Sequence, residues 1–551
     1  MLKDYFEVPN KPAIKSGNIL SCDFTDHETF IPQPLDYTRG TLATYVDCNG
    51  LIKISSVSDT ELVINGDFSD GLNGWSSHGG SILELQDGKA KVTTVGNQGW
   101  IKRPDLSIQS GKTYFCKAEI TNALNPAIFI NGTADQLSPM PLISGNLYGG
   151  YITTTGNNIT FFIRGNNTDG EVSFINNVSV KEVDVNIPRI DYFTEIGKAK
   201  ELQKPSLLLE PQSTNLFNYS NNFIQNYWSK QNGCSITQNQ TKSPEGIVNA
   251  DKLVSDNSTG EQYLLNSSVN TTIGNNVTYS CFVKKSDYDY FHLRFTATGG
   301  VFTAASAWYN INNGTLGTVE SGVTAKIEDY GNGWYRCSAT RTATGTGGAR
   351  VRLQLASADN TPNIVGDGIK GTFIYGAQYE IQSYCTSYIP TSGSTVTRNG
   401  DIANNAGQLG VFNDTEGVLY IEAQSTFDSS KSRRISISDG TINNRISFEF
   451  DEALENRLRV HQNSGLVEYN APNLSVFNKI AYKFKSGDND LWFNGNRVAG
   501  NTSTNMPSGM NVFQLQGGGN IHTFYGKVRE VKAFRRALTD SELTELTNNI
   551  V

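Results

Sequence analysis

Apolar and polar residues alternate in short runs along most of this chain. The alternation is clear in residues 173–181, 372–380 and 445–450. A period of two places successive side chains on opposite faces of a strand, so each run predicts a half-buried strand of an antiparallel sheet. Helical patterns are scarce, and the clearest helix start is the capping box Thr539-Asp-Ser-Glu542. The pattern therefore predicts an all-β protein with little helix.

Two stretches of the chain carry the same landmarks in the same order. These landmarks are Glu61-Leu-Val-Ile-Asn-Gly-Asp-Phe68 with Trp75 and Thr113-Tyr-Phe-Cys116 in the first stretch, and Asn215-Leu-Phe-Asn-Tyr-Ser-Asn-Asn-Phe223 with Trp228 and Thr278-Tyr-Ser-Cys281 in the second. Each stretch closes on one of the alternating runs. The shared order predicts two copies of one β-module, which we call module 1 (61–183) and module 2 (212–395).

The remaining text divides into two further parts. Residues 1–60 show no regular pattern, and residues 184–215 have the same irregular character. Module 1 is therefore predicted to be inserted into an N-terminal connector that continues on its far side. From residue 400 to 551 the alternating strands recur without the duplicated landmarks. Phe493-Asn-Gly-Asn496 supplies a hairpin turn, because Asn-Gly accepts the positive φ that such turns need. This last part, the C-terminal sandwich, is predicted to be two packed sheets.

Length and charge exclude several classes of protein. A chain of 551 residues should hold three or four domains. Its net charge is 45 − 53 = −8, and its Lys and Arg residues are scattered, which argues against nucleic acid as a partner. No apolar run approaches the ~18 residues of a membrane span. The first residues lack the apolar core of a signal peptide.

The cysteines indicate a reduced protein. There are seven, an odd number, with no Cys-x-x-Cys pair. Cys116, Cys281 and Cys337 each lie in strand-like text, where a thiol acts as a small apolar side chain. We therefore expect assembly in a reducing cytoplasm.

Several phrases resemble those of known proteins. Tyr37-Thr-Arg-Gly-Thr41, Ile187-Pro-Arg-Ile-Asp-Tyr192 and Leu207-Leu-Leu-Glu-Pro-Gln-Ser-Thr-Asn215 resemble a connector common in structural proteins of tailed bacteriophages. The two modules are similar to the jelly-roll carbohydrate-binding modules of glycanases and phage tails. The C-terminal part, with Asp490-Leu-Trp-Phe-Asn-Gly495, looks like a concanavalin A-like (laminin-G-like) sandwich.

These resemblances imply a complete architecture and a function. The fold is expected to be all-β and multidomain: two related jelly-roll sandwiches, a concanavalin A-like sandwich and an irregular connector. The protein is expected to be a virion component, either a tail fibre, a head fibre or a capsid decoration, assembled in the host bacterial cytoplasm. Its partners would be other virion proteins and host surface glycans. By analogy with phage fibres we expect a homotrimer.

Two other functions compete with this one. The sandwiches could serve purely as spacers or capsid cement without binding a ligand. The chain could also be a polysaccharide-degrading enzyme with accessory modules, since concanavalin-like glycanases place Glu-x-Asp-x-Glu on one strand. Here Glu449 and Asp451 fit that motif, but Ala453 occupies the third position. One Glu cannot act both as nucleophile and as acid/base, so we expect no catalytic activity and interpret Glu449 as part of a charged rim.

Candidate ligand residues follow from sugar chemistry, because aromatic faces cover the apolar side of a pyranose ring. Trp75, Trp228, Trp334 and Trp492 lie in strand text and are predicted to be core residues. The ligand-binding candidates are Trp100, Tyr148, Tyr151 and Trp308. Core packing or a subunit contact is the alternative role for each of them.

The resemblance points to one candidate cofactor, a structural calcium ion. Jelly-roll modules of this kind often carry a structural calcium, and Asp67, Asp70 and Glu182 are its candidate ligands here. No dense acidic loop marks the site. No other cofactor is expected.

Overall fold

The architecture was analysed in a computed structural model, which describes residues 18–23, 35–54, 58, 60–130, 135–137, 140, 142–155, 160–193, 204–407, 412–426, 431–451 and 454–548. The protein is all-β and multidomain, as predicted. The first connector stretch contains β1 (Asn18–Asp23), β2 (Asp36–Thr38), β3 (Thr44–Val46) and β4 (Ile52–Ile54). Within the described parts of the chain, no helix is long and apolar enough to cross a membrane.

Module 1 is a sandwich of two antiparallel sheets. Its strands are β5 (Ser76–His78), β6 (Ile82–Gln86), β7 (Lys89–Thr93), β8 (Trp100–Arg103), β9 (Thr113–Thr121), β10 (Ala127–Ile130), β11 (Asp135–Leu137), β12 (Leu142–Ser144), β13 (Leu147–Thr153), β14 (Phe161–Arg164) and β15 (Val172–Val183). The smaller sheet has the order β11-β10-β14-β8-β5, and the larger has the order β12-β13-β9-β15-β7-β6. The apolar positions of both sheets meet in one core.

Module 2 follows the second connector stretch, which holds β16 (Arg189–Asp191), β17 (Ser206–Leu209) and β18 (Ser213–Asn215). Its strands are β19 (Trp228–Gln231), β20 (Ser235–Lys242), β21 (Val248–Val254), β22 (Thr259–Gly260), β23 (Tyr263–Asn266), β24 (Val269–Thr271), β25 (Asn276–Lys285), β26 (Tyr290–Phe295), β27 (Ala305–Asn310), β28 (Thr315–Val319), β29 (Thr324–Asp329), β30 (Trp334–Thr342), β31 (Gly347–Ala349), β32 (Val351–Ala356), β33 (Ile364–Val365) and β34 (Gly371–Glu380). β35 (Val396–Arg398) and β36 (Ile402–Asn404) lead out of it.

The two modules share one strand topology. The smaller sheet of module 2 runs β28-β27-β26-β32-β23-β19, which reproduces the order of module 1 with β28 added at the edge. The larger sheet runs β29-β30-β25-β34-β21-β20 and matches strand for strand. The sequence landmarks therefore do mark a duplicated fold.

Matching hydrogen bonds confirm the equivalence. The Trp75 indole Nε1 donates to the Asn65 carbonyl at 2.9 Å, and the Trp228 Nε1 donates to the Tyr219 carbonyl at 2.8 Å. Both rings are buried, as are Trp334 at 1% exposure and Trp492 at 5%. All four predicted core tryptophans are thus buried, Trp75 and Trp228 in the cores of their modules and the other two in smaller apolar clusters outside the sandwich cores.

One detail of the sequence comparison needs correction. In module 1, Cys116 pairs with Val180, and the Val180 backbone N–H donates to the Glu61 side chain. In module 2, the Tyr379 backbone N–H donates in the same way to the Asn215 side chain, so Tyr379 corresponds to Val180. Tyr379 pairs with Tyr279 rather than with Cys281. The two Thr-Tyr-x-Cys motifs thus lie on equivalent strands, but they are offset by two residues, so Cys116 corresponds to Tyr279 and not to Cys281. Strand pairing determines this alignment, and the cysteines do not.

The C-terminal sandwich recruits strands from the connector. Its own strands are β37 (Glu416–Ser425), β38 (Arg433–Ser438), β39 (Arg445–Phe450), β40 (Arg457–Gln462), β41 (Gly465–Asn470), β42 (Asn478–Lys485), β43 (Asn489–Phe493), β44 (Asn496–Asn501), β45 (Val512–Gln514) and β46 (Gly526–Phe534), followed by α1 (Asp540–Thr547). One sheet runs β16-β17-β46-β37-β42-β43-β44, with β1 also paired to β46. The other runs β41-β40-β39-β38-β45. Thr539 and Glu542 form the predicted capping box of α1.

A buried ion network ties the connector to the start of the C-terminal part. Arg189 pairs with Glu210 at 2.7 Å and with Asp401, and Arg39 pairs with Asp401 at 3.2 Å. Arg398 lies 3.5 Å from Glu210. Burial alone would raise the pKa of Glu210, but the charges of Arg398 and Arg189 lower it to about 2. Because these groups come from four separate segments, the network joins both connector stretches to residues 398–401.

The connector also packs on module 2. Ile52 on β4 is buried against Phe282, Trp334 and Tyr375 on the outer surface of the larger sheet. The centre of that sheet is therefore covered on both sides. Of the predicted thiols, Cys116, Cys281 and Cys337 are free and buried, which confirms their interpretation as apolar side chains.

Candidate functional site

The smaller sheet of module 1 carries a second set of large side chains on its outer surface. Strand alternation turns Ile101, Ile128 and Ile163 into the core, where each is fully buried. The neighbouring positions point outward from β5, β8, β10 and β14. We call this outer set the module-1 face, and it consists of His78, Trp100, Lys102, Phe129, Phe162 and Arg164.

Trp100 forms the base of this face. Its ring centroid lies 4.4 Å from that of Phe129, and the Arg164 guanidinium carbon lies 4.6 Å from its ring. These two neighbours leave Trp100 only 6% exposed. The ring of Trp100 is therefore packed rather than open, which is the alternative role given for it above, and it supports the residues that are exposed.

The exposed part of the module-1 face is formed by the residues around Trp100. Phe129 and Phe162 are half-buried, and His78 is exposed with its ring 4.8 Å from that of Phe162. Phe162 pairs with Phe129 on one side and with Lys102 on the other. The result is an apolar surface bordered by nitrogen donors, which is the composition that a saccharide requires.

Arg164 is a partly buried cation on the module-1 face. It is half-buried, and only its Nε has a hydrogen-bond acceptor among the described residues, the Asn125 carbonyl at 3.1 Å. Burial lowers the pKa of the guanidinium. In the described parts of the chain no carboxylate forms an ion pair with Arg164 or Lys102, so the face presents uncompensated positive charge.

The corresponding surface of module 2 is built differently. Its centre is a row across three strands, in which His292 on β26 pairs with Trp308 on β27 and with Gln354 on β32. The His292 and Trp308 rings stack at 4.1 Å with planes 9° apart. We call the set that surrounds this row the module-2 face, and it consists of Tyr263, His292, Arg294, Trp308, Arg352 and Gln354.

The central row of the module-2 face is closed. His292 and Gln354 are fully buried and Trp308 is 3% exposed. The Gln354 amide donates to the Pro362 carbonyl at 2.9 Å, while Asp359 accepts from the Thr318 backbone N–H at 2.7 Å. Residues 359–362 thus reach from the middle of the sheet to its edge strand. The candidate Trp308 is inaccessible beneath them.

Charge is partly neutralised on the module-2 face. Glu261 accepts from Arg352 at 2.6 Å and from Arg294 at 3.3 Å. Arg352 also lies 3.9 Å above the Tyr263 ring. Burial, together with the charges of these two arginines, lowers the pKa of His292 to about 3, so its imidazole is neutral at physiological pH.

The two tyrosine candidates lie elsewhere. Tyr148 packs half-buried against the core of module 1. The Tyr151 ring lies 4.8 Å from that of Phe115 on the larger sheet, with the two planes tilted, and burial together with the charge of Glu245 in module 2 raises the pKa of Tyr151. Tyr151 therefore faces module 2. The four predicted ligand residues do not form one site.

The three predicted calcium ligands each have other partners. Asp67 accepts from Ser69 at 2.8 Å, and Asp70 accepts from Asn73 at 2.7 Å within their own loop. Glu182 pairs with Lys112 at 2.7 Å. Among the residues that the structure describes, no group of three or more acidic, His or Cys side chains is placed to hold a metal ion. The structure thus does not bring this ligand set together.

The catalytic lead on β39 is a buried ion cluster. Glu449 is 3% exposed, which corrects its interpretation as an exposed rim. It accepts from Arg434 at 2.6 Å and contacts the His461 Nε2 at 3.0 Å. Burial would raise the pKa of Glu449, but the His461 hydrogen bond and the Arg434 charge lower it to about 2. Ala453 lies outside the described residues.

The residues that sequence reasoning missed have a visible signal. Phe129, Phe162 and Arg164 lie in the runs Ala127-Ile-Phe-Ile130 and Phe161-Phe-Ile-Arg164. In both runs large side chains stand at successive positions and therefore point to both faces of the strand. One of the two sets must then lie outside the core.

Comparison with known proteins found structural likeness alone. No protein-family model matches the chain, and no curated protein matches it. The CBM40 of the Ruminococcus gnavus IT-sialidase, solved with α2,3-sialyllactose, is 17% identical over 26% of this chain and 94% of its own, with a TM-score of 0.22. The CBM22-1–CBM22-2 tandem of Paenibacillus barcinonensis Xyn10C is 10% identical over 59% and 99%, with a TM-score of 0.20.

Proposed function

We propose that this chain is a non-catalytic glycan-binding protein that uses the module-1 face to hold saccharides. The observation that carries the proposal is the combination of half-buried Phe129 and Phe162 with Arg164 on one open sheet surface. Aromatic rings cover the C–H side of a sugar, and a guanidinium donates to its oxygens. Trp100 holds these groups in place from below.

The non-catalytic part of the proposal is supported by the state of Glu449. A general acid must carry a proton near the working pH. With its pKa lowered to about 2 and Arg434 against it, Glu449 is ionised at neutral pH and already neutralised. Reducing-end release from a polysaccharide by the full chain, abolished by Glu449→Gln, would contradict this part.

The wider setting of the proposal is the virion of a tailed phage. The connector phrases that resemble phage structural proteins converge on the buried Arg189 network, which would fix the sandwiches to a particle as a fibre or a decoration. Weak sites repeated in an oligomer such as a homotrimer would act together through avidity. Co-sedimentation of the chain with particles from the producing lysate tests this setting; a particle-free chain would contradict it.

A spacer role is favoured for module 2 rather than for the whole chain. Its smaller sheet is closed over the His292 row, and the centre of its larger sheet is covered where Ile52 of the connector packs. The centres of both broad surfaces are thus occupied. Module 2 would hold module 1 at a fixed position, while the C-terminal sandwich anchors the connector strands.

The test of glycan binding uses the full chain on a glycan array, followed by titration of the best ligand. Phe162→Ala should weaken binding at least tenfold, or about 1.4 kcal/mol. The matched control is Tyr290→Ala, another half-buried aromatic residue on the smaller sheet of module 2, and it should change affinity less than twofold. Failure of the wild-type chain to bind any glycan, or equal losses in both variants, would overturn the proposal.

A further inference from the structure

The module-1 face holds two cations in neighbouring positions. Lys102 on β8 pairs with Phe162, and Arg164 on β14 pairs with Trp100, so the two cations occupy diagonal positions on adjacent antiparallel strands. Such positions lie roughly 7–8 Å apart at the backbone, and both side chains are long. Their charged groups can therefore approach one small anionic group from two sides.

None of the acidic residues that the structure describes balances these cations. Within the described parts of the chain, neither Lys102 nor Arg164 forms an ion pair, although 53 Asp and Glu residues outnumber 45 Lys and Arg in the sequence. Module 2 differs in this respect. Its Arg352 lies on the equivalent strand, above the Tyr263 ring that corresponds to Trp100, and is neutralised by Glu261. The missing carboxylate is thus a local feature of module 1.

Arg164 is also prepared for an anion by its geometry. Its Nε donates to the Asn125 carbonyl, which fixes the side chain over Trp100, while its two terminal nitrogens have no acceptor among the described residues. A half-buried guanidinium has lost part of its hydration, and a carboxylate can restore those hydrogen bonds in a bidentate pair. The aromatic rings beside it select an anion that also has an apolar side.

We infer that the module-1 face selects acidic saccharides, whose carboxylate would bind Arg164 and Lys102 while the sugar ring lies on Phe129 and Phe162. The inference rests on the proposed glycan-binding function and names its substrate class. Uronic acids and sialic acids both present this chemistry. Neutral saccharides would use the same rings and bind more weakly.

The experiment compares matched probes on the full chain by calorimetry. α2,3-Sialyllactose is measured against lactose, and tetragalacturonate against its methyl ester, so that each pair changes the charged unit and the two pairs separate the two sources. At least one acidic probe should bind tenfold or more tightly than its neutral counterpart. Raising the salt from 50 to 500 mM should weaken the acidic probe only, because screening acts on the charges.

Two variants locate the effect. Arg164→Gln removes a hydrogen-bond donor for both probes and the charge that only the acidic probe uses, so it should weaken the acidic probe at least tenfold more than the neutral probe. Arg352→Gln is the control on the equivalent strand of module 2, where the arginine also lies over an aromatic ring, and it should leave both affinities unchanged. Thermal unfolding of each variant checks that the modules remain folded.

Each other outcome has a definite meaning. Equal affinity for acidic and neutral probes overturns the inference and leaves glycan binding in place. No binding of any saccharide overturns both the inference and the proposed function. Equally tight binding of inorganic tripolyphosphate would overturn the saccharide class, because it would make the site a general anion site.

Discussion

Modules 1 and 2 share one topology but treat the same surface in opposite ways. In each, an arginine on the middle strand of the smaller sheet lies above an aromatic ring on the next strand: Arg164 over Trp100 and Arg352 over Tyr263. Glu261 neutralises the second arginine, and no described carboxylate neutralises the first. The comparison teaches that a duplicated sandwich can keep its strand order while the groups on one outer surface differ in charge and exposure.

The largest effect is expected from Trp308→Ala. Trp308 is 3% exposed and packed against His292, so its removal should lower the free energy of unfolding of module 2 by about 3–5 kcal/mol. Glycan affinity of the folded chain should be unchanged. Calorimetric unfolding of the full chain measures the first effect and titration the second. Loss of binding without loss of stability would move the site to module 2.

A difference within the cores gives the second prediction. Ala90 in module 1 pairs with Ile175, and the corresponding Asp251 in module 2 pairs with Ile374. Asp251 is 2% exposed, and its Oδ2 has no hydrogen-bond partner. Burial raises its pKa to about 7, above the ordinary value of 3.8. The folded state thus binds the proton more tightly than the unfolded state.

The sign of the pH effect follows from that shift. The stability contributed by protonated Asp251 is complete below pH 3.8 and is lost as the pH rises through about 7. Asp251→Asn keeps an acceptor for the Asn239 N–H, 3.1 Å away, and cannot ionise. The variant should gain roughly 2–4 kcal/mol over wild type between pH 4 and pH 8. Parallel unfolding temperatures across this range would contradict the assignment.

The smallest effect is expected from Glu261→Gln, which sharpens the charge comparison. Its ion pairs with Arg352 and Arg294 are partly exposed, so stability should change by less than about 1 kcal/mol. The module-2 face would then carry uncompensated charge as module 1 does, yet residues 359–362 should still exclude a sugar. New saccharide binding by this variant would show that charge alone closes the module-2 face.

Local patterns were sufficient for much of this fold. Alternation predicted the strands, the repeated landmarks predicted the duplication, and Thr539 with Glu542 predicted the cap of α1. These features depend on neighbours in sequence. The buried positions of Trp75 and Trp228 were likewise predictable, because each lies at a strand start just after its module opens.

The candidate site depended on contacts that sequence spacing does not contain. Trp100 and Trp308 look alike in the sequence, but one supports an open face and the other lies beneath residues 359–362. Tyr151 faces module 2 only because the two modules pack together. Glu449 is buried because Arg434 and His461 come from strands on either side of it. Each outcome was decided by a partner distant in sequence.

The most direct test of the central claim is hydrogen–deuterium exchange on the full chain with and without the best glycan ligand. The account predicts slower exchange in residues 100–103, 127–130 and 161–164 of module 1. Exchange in residues 290–295 and 351–356 of module 2 should be unchanged. Protection confined to module 2 or to the C-terminal sandwich would contradict the assignment of the module-1 face as the binding site.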